Sequence, residues 1–175
     1  MTSNLQLKMS ANTAVVASKN DGSTFSYNPG AACATDGACA INGNTPSTGD
    51  YYSWYAATAG QGTASSTGDV DGSICPAGWK LPYSYTVDNS KSYQELINKY
   101  SATSYAALEV VPLSFSRFGY YGSGSLVGSG SYGYYRSSTA SSASYAYNLR
   151  YTASTVLPQR EDAKYRGFSV RCVGI

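Results

Sequence analysis

The side chains that most often carry out catalysis are scarce in this sequence. The chain has 175 residues, no histidine, four cysteines and ten acidic residues. The absence of histidine excludes the Ser-His-Asp triad, the Cys-His pair and every zinc site that uses an imidazole. Most of the acidic residues lie in turn-like sequence, so no carboxylate pair for glycoside hydrolysis can be assigned. No glycine-rich stretch is followed by the lysine and helix of a phosphate-binding loop. We therefore predict that the protein is not an enzyme.

The four cysteines are Cys33, Cys39, Cys75 and Cys172, and they allow three pairings. A turn at Asp36-Gly37 would bring Cys33 and Cys39 together, which leaves Cys75 for Cys172. A four-cysteine zinc site is the alternative, but the sequence has no Cys-x2-Cys pair. Two disulfides indicate an oxidising compartment, so we expect an extracellular or cell-surface location, although the first residues lack the basic start and apolar core of a signal peptide.

One acidic stretch has some of the spacing of a calcium loop. Asp69 and Asp71 lie in Thr-Gly-Asp-Val-Asp-Gly, but the distant bidentate glutamate of such a loop is missing. An ordinary solvated turn explains these residues better. We predict no metal and no cofactor.

Tyrosine is the unusual component of the composition. The chain has 18 tyrosines among many serines and glycines, a combination typical of binding surfaces. The net charge is only +2 and the basic residues are scattered, so we expect no nucleic-acid partner. No apolar stretch reaches 18 residues, so we expect no membrane span.

The elements that would position these side chains can be read from the periodicity. The clearest helix is predicted over 91–100, with Ser92 and Glu95 at the spacing of a capping box. Its apolar face has the spacing i, i+3, i+4, i+7 and consists of Tyr93, Leu96, Ile97 and Tyr100. Before the helix, residues 5–17 favour one or two strands and residues 20–50 a long loop.

The C-terminal part of the sequence favours strands, over 113–117, 133–138, 144–151 and 166–173. The alternation in 144–151 is strict and puts Tyr145, Tyr147, Leu149 and Tyr151 on one face and Ala146, Asn148 and Arg150 on the other. In the last stretch, Phe168, Val170 and Cys172 are expected to point inwards. A half-buried antiparallel sheet fits this pattern.

Four separated motifs carry a resemblance to a known family. They are Tyr52-Ser-Trp54, Cys75-Pro-Ala-Gly-Trp-Lys-Leu-Pro82, Gly133-Tyr-Tyr-Arg-Ser-Ser-Thr139 and Arg166-Gly-Phe-Ser-Val-Arg-Cys-Val173. In this order they resemble the Fibrobacter succinogenes major paralogous domain over roughly residues 48–174. The resemblance implies a single domain over 1–175 with an α+β, C-type lectin-like fold of antiparallel sheets, one or two short helices and long loops. Residues 1–47 would then form an N-terminal strand and disulfide loop.

The same fold is shared by the formylglycine-generating enzymes and by the variable proteins of diversity-generating retroelements. Similarity to the variable proteins implies that about 113–175 is a diversified, ligand-binding region. Arg136 stands where the family usually shows an aromatic residue, which indicates a varied binding position. The calcium-dependent sugar-binding motifs of lectins with this fold are missing from the sequence.

Binding residues are accordingly predicted in the C-terminal region, for an unknown protein or cell-surface ligand. They are Arg117, Tyr120, Tyr121, Tyr134, Arg136, Tyr145, Tyr147, Arg150, Tyr151, Arg160, Glu161, Asp162, Lys164, Tyr165 and Arg166. About half of the strand tyrosines would be structural, since one face must be core, and 160–166 has an ordinary solvated loop as its alternative. Two further hypotheses are a structural or adhesive surface module without diversification and an enzyme of the formylglycine-generating type.

Overall fold

The computed structural model describes residues 50–63, 65–84, 91–122 and 125–175, together with the backbone of four short strands nearer the N-terminus. In chain order the described elements are β1 (Ala14–Val16), β2 (Thr24–Ser26), β3 (Asn28–Pro29), β4 (Cys39–Ile41), β5 (Tyr51–Tyr52), α1 (Trp54–Ala57), β6 (Gly68–Asp69), β7 (Trp79–Lys80), α2 (Tyr93–Tyr100), α3 (Tyr105–Glu109), β8 (Tyr120–Gly122), β9 (Ser125–Val127), β10 (Gly133–Ala140), β11 (Tyr145–Tyr151), β12 (Val156–Ala163) and β13 (Val173–Gly174). No helix in this part of the chain is long and apolar enough to cross a membrane.

The largest sheet in the described residues has four antiparallel strands in the order β12-β11-β10-β6. The other described sheets have two or three strands, and β3 with β4 is the one parallel strand pair among them. The molecule thus combines mostly antiparallel sheets with a few short helices. At this level the expected fold class is confirmed.

The helix predicted over 91–100 forms as α2. Ser92 is its N-cap residue, and the Ser92 hydroxyl accepts a hydrogen bond from the backbone N–H of Glu95, as the capping motif predicts. Tyr93 and Ile97 are buried, which confirms the inner face. Tyr100, expected on the same face, is 42% exposed because it lies in the last turn of the helix.

β11 forms where it is predicted, but its side chains do not alternate between core and solvent. Ala146, Asn148, Leu149 and Tyr151 are all buried, whereas Tyr145 is exposed. The prediction of one buried and one solvent-facing side is wrong here because each face is covered over part of its length. One face packs against α1, and the other packs against α2 and α3.

The strand predicted over 113–117 does not form. Side chains bind the backbone of this segment instead. The Tyr135 hydroxyl hydrogen-bonds both the N–H and the carbonyl of Ser116, and Arg171 donates to the carbonyl of Leu113. Because backbone groups can be satisfied by side chains, the segment needs no partner strand.

The last predicted strand, over 166–173, is reduced to single bridges with three different elements, followed by β13. Phe168, Val170 and Cys172 are buried as predicted, but Ser169 and Arg171 between them are buried as well. The segment therefore runs through the interior and has no solvent-facing side.

Near the N-terminus, β1 lies within the stretch predicted to contain strands. The loop expected over 20–50 is wrong in part, since it contains β2, β3 and β4. The predicted Cys33–Cys39 disulfide falls outside the described residues, apart from the backbone of Cys39.

The core contains the predicted disulfide between Cys75 and Cys172, which joins positions 97 residues apart. It packs with Tyr52, Leu81 and Val170. A second cluster joins α2 and α3 to one face of the central sheet and includes Tyr93, Leu108, Tyr135, Leu149 and Tyr151. Together these clusters hold the C-terminal half of the chain around β10 and β11.

Candidate functional site

Arg136 lies in the middle of β10 and its side chain is fully buried. The guanidinium donates hydrogen bonds to four backbone carbonyl oxygens, those of Tyr52, Ala163, Lys164 and Arg166. It also lies 4.0 Å from the centre of the Phe168 ring. Burial lowers the pKa of Arg136, and the Asp162 carboxylate counteracts this by raising it.

The prediction that Arg136 is an exposed binding residue is therefore wrong. It assumed that an arginine cannot replace an aromatic residue in a core. Here the carbonyl oxygens take the place of water around the charge, and the Phe168 ring covers one face of the guanidinium. Arg136 thus holds the turn after β12 against β5.

Lys164, also predicted as a binding residue, is buried in the same way. Its ammonium group donates to the carbonyl oxygens of Thr63 (3.1 Å) and Ser66 (3.0 Å). It lies 4.5 Å from the centre of a Trp54 ring. The prediction of an exposed lysine is wrong because the backbone carbonyls of Thr63 and Ser66 cover its ammonium group.

Arg171, which the sequence analysis did not single out, follows the same pattern. Its guanidinium donates to the carbonyls of Leu113 and Ser114 and lies 4.6 Å from the Phe115 ring. Burial lowers the pKa of Arg171, and nearby tyrosines, Tyr135 first, counteract the shift. We call Arg136, Lys164 and Arg171 the buried cations.

Buried tyrosines hold neighbouring backbone by their hydroxyl groups. The Tyr135 hydroxyl forms hydrogen bonds of 2.9 and 2.8 Å with the backbone of Ser116. The Tyr51 hydroxyl donates to the carbonyl of Phe118 at 2.7 Å. These two contacts fix the backbone on either side of Arg117. Burial, and then the neighbouring Tyr135, raise the pKa of Tyr51 to about 12.

A different set of tyrosines and arginines stacks on the outside of the molecule. We call Tyr120, Tyr132, Tyr134, Arg150 and Arg166 the tyrosine–arginine surface. The ring centres of Tyr120 and Tyr134 are 5.0 Å apart, and those of Tyr132 and Tyr134 are 6.1 Å apart. Arg150 lies 5.1 Å from the Tyr132 ring, and Arg166 lies 5.2 Å from the Tyr120 ring. The five side chains form one continuous layer.

This layer rests on the core. Tyr134 is 8% exposed and its ring centre lies 4.8 Å from that of Phe168, whereas the other four members are partly exposed. Burial raises the pKa of Tyr134, and Arg150 opposes the shift. Arg166 pairs with the buried carboxylate of Asp162. The surface therefore presents rigid aromatic edges and two fixed guanidinium groups.

A polar cleft of about 570 Å³ adjoins this surface. It is lined by Arg117, Gly130, Ser131, Tyr132, Arg150, Thr152, Ala153, Ser154 and Thr155. Arg117 is held by Glu109 through bonds of 2.7 and 3.4 Å, and by the Tyr105 ring at 4.7 Å. We call it the arginine cleft.

The structure brings some of the predicted binding residues together and separates others. Four of them, Tyr120, Tyr134, Arg150 and Arg166, belong to the tyrosine–arginine surface, with Asp162 beneath it and Arg117 in the adjoining cleft. Tyr121, Arg160 and Tyr165 lie partly or fully exposed on β8, on β12 and just after it.

The remaining predicted residues lie elsewhere. Tyr151 is buried, and its hydroxyl is 3.3 Å from the Glu109 carboxylate, so its prediction as a binding residue is wrong. Tyr147 pairs across the sheet with Glu161. Strand alternation puts Tyr145 and Tyr147 on the face of β11 opposite Arg150, away from the tyrosine–arginine surface.

Tyr132 belongs to the surface but is not among the predicted residues. The sequence could have predicted this position, because Tyr132 precedes Tyr134 by two residues, and this spacing puts two side chains on one side of an extended chain. The stretch over 122–131 before it appears as a glycine- and serine-rich loop, which hides this alternation.

The acidic stretch around Asp69 has a structural role. Thr139 of β10 donates its hydroxyl hydrogen bond to the Asp69 carboxylate, where β6 pairs with β10. Within the described residues no three acidic or cysteine side chains are grouped as a metal site would require.

The comparisons with known proteins give no relative. No family model, no curated protein and no solved structure matches the chain.

Proposed function

We propose that the protein is a ligand-binding protein that recognises a protein or cell-surface target through the tyrosine–arginine surface. The observation that carries the proposal is the division of its tyrosines and basic residues into two sets. One set is buried and holds backbone, as Arg136 and Tyr135 do. The other is partly exposed and stacked, as Tyr120, Tyr132 and Arg150 are.

The stacked set has the properties of a binding surface. Tyrosine offers a large contact area with few rotatable bonds and one hydroxyl for hydrogen bonding. An arginine stacked on a ring loses little further freedom when it forms a hydrogen bond to a ligand. Because the rings of Tyr120 and Tyr134 support one another, the surface is largely ordered before a ligand arrives.

The proposal includes the C-type lectin-like scaffold and the relation to variable proteins of diversity-generating retroelements. It is supported by the four motifs that resemble the Fibrobacter domain. Two of them supply Cys75 and Cys172, and a third contains Arg136. On this scaffold the backbone of the C-terminal region is held by buried groups, so exposed side chains can vary with little effect on the fold.

A non-enzymatic role and an extracellular or cell-surface location are parts of the same proposal. An enzyme of the formylglycine-generating type needs a reactive cysteine pair near a cleft. Cys75 and Cys172 are instead buried and bonded to each other. A disulfide of this kind is typical of proteins from an oxidising compartment.

The proposal is tested by comparing what three proteins capture from surface-protein extracts of candidate target cells. They are the wild type, the double variant Tyr132→Ser, Arg150→Gln, and the control Lys99→Gln on the exposed side of α2. Quantitative mass spectrometry should find a protein retained by the wild type and the control and reduced at least tenfold with the double variant. Thermal unfolding of each variant shows that the fold is intact. If the double variant captures every protein as well as the wild type does, the proposal is wrong.

A further inference from the structure

The residues that line the arginine cleft indicate which chemical group of a ligand it would bind. Arg117 and Arg150 are the charged residues that line it, and four serine and threonine residues lie around them, namely Ser131, Thr152, Ser154 and Thr155. A volume of about 570 Å³ is within the range of sites that hold small ligands or a short piece of a larger one. The lining offers donors and positive charge and no carboxylate.

Both guanidinium groups are fixed, and each has an N–H donor that forms no hydrogen bond with the described residues. Arg117 uses Nε and Nη2 on Glu109, and no described residue accepts a hydrogen bond from its Nη1. Arg150 is held against the rings of Tyr132 (5.1 Å) and Tyr134 (5.8 Å), and its Nε is buried without a hydrogen-bond partner among the described residues. An unpaired guanidinium donor is satisfied best by an anionic oxygen.

The hydroxyl groups reinforce this preference for an anion. Thr152 Oγ1 accepts hydrogen bonds from the backbone N–H groups of Ser154 and Thr155, both at 3.1 Å. Since both lone pairs are then in use, its proton is donated to a neighbouring hydroxyl, and Thr155 Oγ1 is 2.9 Å away. That arrangement leaves the Thr155 proton available to a ligand.

The charge balance favours a ligand group with one negative charge. A second cavity of about 340 Å³ shares Arg117 and Gly130 with the cleft and contains Glu109. Two guanidinium groups and one carboxylate leave a single positive charge across the joined cavities. One anionic group on the ligand would neutralise it.

We propose that the arginine cleft binds the carboxylate of an aspartate or glutamate side chain on a protein target, an inference that rests on the proposed function. A carboxylate fits the fork of an arginine in a bidentate geometry. An acidic sugar is the less favoured source, because the aromatic ring that lines the cleft, Tyr132, already has the Arg150 guanidinium over it. Stacking of a sugar ring would compete with that contact.

The test measures the binding of three probes by isothermal titration calorimetry. They are a hexaglutamate peptide, a hexaglutamine peptide and an oligogalacturonate of equal charge. The wild type should bind hexaglutamate at least tenfold more tightly than either of the other two. Arg150→Gln should weaken hexaglutamate binding at least tenfold, and the charge-matched control Lys99→Gln should leave it within twofold. Arg150→Lys keeps the positive charge but lacks the bidentate geometry of the guanidinium, so it should bind more tightly than Arg150→Gln and less tightly than the wild type. Thermal unfolding checks that each variant is folded.

Several outcomes would overturn the inference. These are equal binding of hexaglutamate and hexaglutamine, a preference for the galacturonate, or an Arg150→Gln variant that binds like the wild type. If Arg150→Gln does not fold, Arg117→Gln takes its place with the same expectation. Should hexaglutamate fail to bind while the surface double variant still loses its captured target, this inference is wrong and the proposed function stands. If the double variant loses no target, the proposed function fails whatever the peptide does.

Discussion

At the scale of single residues, the identity of a side chain does not decide whether it lies in the scaffold or on the exposed surface. Arg136 and Arg150 lie on adjacent strands of one sheet, yet one is fully buried and the other is partly exposed. The difference lies in the partners. Arg136 is surrounded by backbone carbonyls that replace water, and Arg150 by two tyrosine rings at the edge of a cleft.

Arg136→Met tests the scaffold role of the buried cations. Methionine fills much of the volume but leaves the carbonyl oxygens of the turn after β12 without donors. Because each unsatisfied buried polar group costs about 1–3 kcal/mol, we expect the free energy of unfolding to fall by about 3 kcal/mol or more. Urea denaturation gives this value. Arg160→Met, at an exposed position of the same sheet, should change it by less than about 0.5 kcal/mol, and equal effects at the two positions would contradict the account.

At the scale of elements, the pairing of β10 with β11 includes one very close contact. Gly133 lies directly opposite Tyr151, and the Tyr151 ring covers its α-carbon. A β-carbon placed on Gly133 would lie 2.0 Å from an atom of that ring, so no larger residue fits without a shift. Tyr151 is also stacked on Tyr135, which fixes the segment that carries Arg117.

Gly133→Ala should therefore destabilise the protein by about 1–3 kcal/mol, the range for overpacking a well-packed core. The matched control is Gly174→Ala, where a β-carbon meets no atom within 4 Å. Differential scanning calorimetry of the two variants separates a general effect of alanine from the clash with Tyr151. A Gly133→Ala protein as stable as the control would show that this contact is not close in solution.

Local patterns in the sequence predict elements well where one side of an element faces water. The helix α2 is predicted with its cap, because Ser92 and Glu95 act within a single turn. The β11 alternation fails at Asn148, since the sequence does not show that α1 covers the second face. The Cys75–Cys172 pair follows from elimination among few cysteines, but the burial of Lys164 depends on a loop about 100 residues away. Contacts between residues so far apart in the sequence produce no local sequence pattern.

At the scale of the whole molecule, tyrosines form part of both the interior and the tyrosine–arginine surface. Tyr51, Tyr93 and Tyr151 are buried, and burial is the largest cause that raises the pKa of each. In an unfolded chain these phenols would ionise near pH 10. The fold favours their neutral form, and this stabilisation is complete below pH 10. The part due to Tyr51 is lost as the pH rises through about 12, its pKa in the fold, and the parts due to Tyr93 and Tyr151 are lost at higher pH.

The free energy of unfolding should accordingly fall above pH 10, by about 1.4 kcal/mol per pH unit for each tyrosine that ionises only in the unfolded chain. Urea denaturation at pH 9, 10 and 11 measures the fall. Tyrosinate absorbance at 295 nm should show a distinct class of tyrosines that ionises only as the protein unfolds. A single class with no loss of stability would mean that the buried tyrosines are accessible.

We propose that the tyrosine–arginine surface is a variable binding surface on a scaffold held by the buried cations. Sequencing the coding region and its flanking DNA in many isolates that carry this gene tests it most directly. We expect a reverse transcriptase gene and a near-identical repeat nearby, with substitutions concentrated at the codons of Tyr120, Tyr132, Arg150 and Arg166. The codons of Arg136, Lys164 and Arg171 should stay unchanged. Variation spread evenly between buried and exposed positions, with no such repeat, would contradict the account.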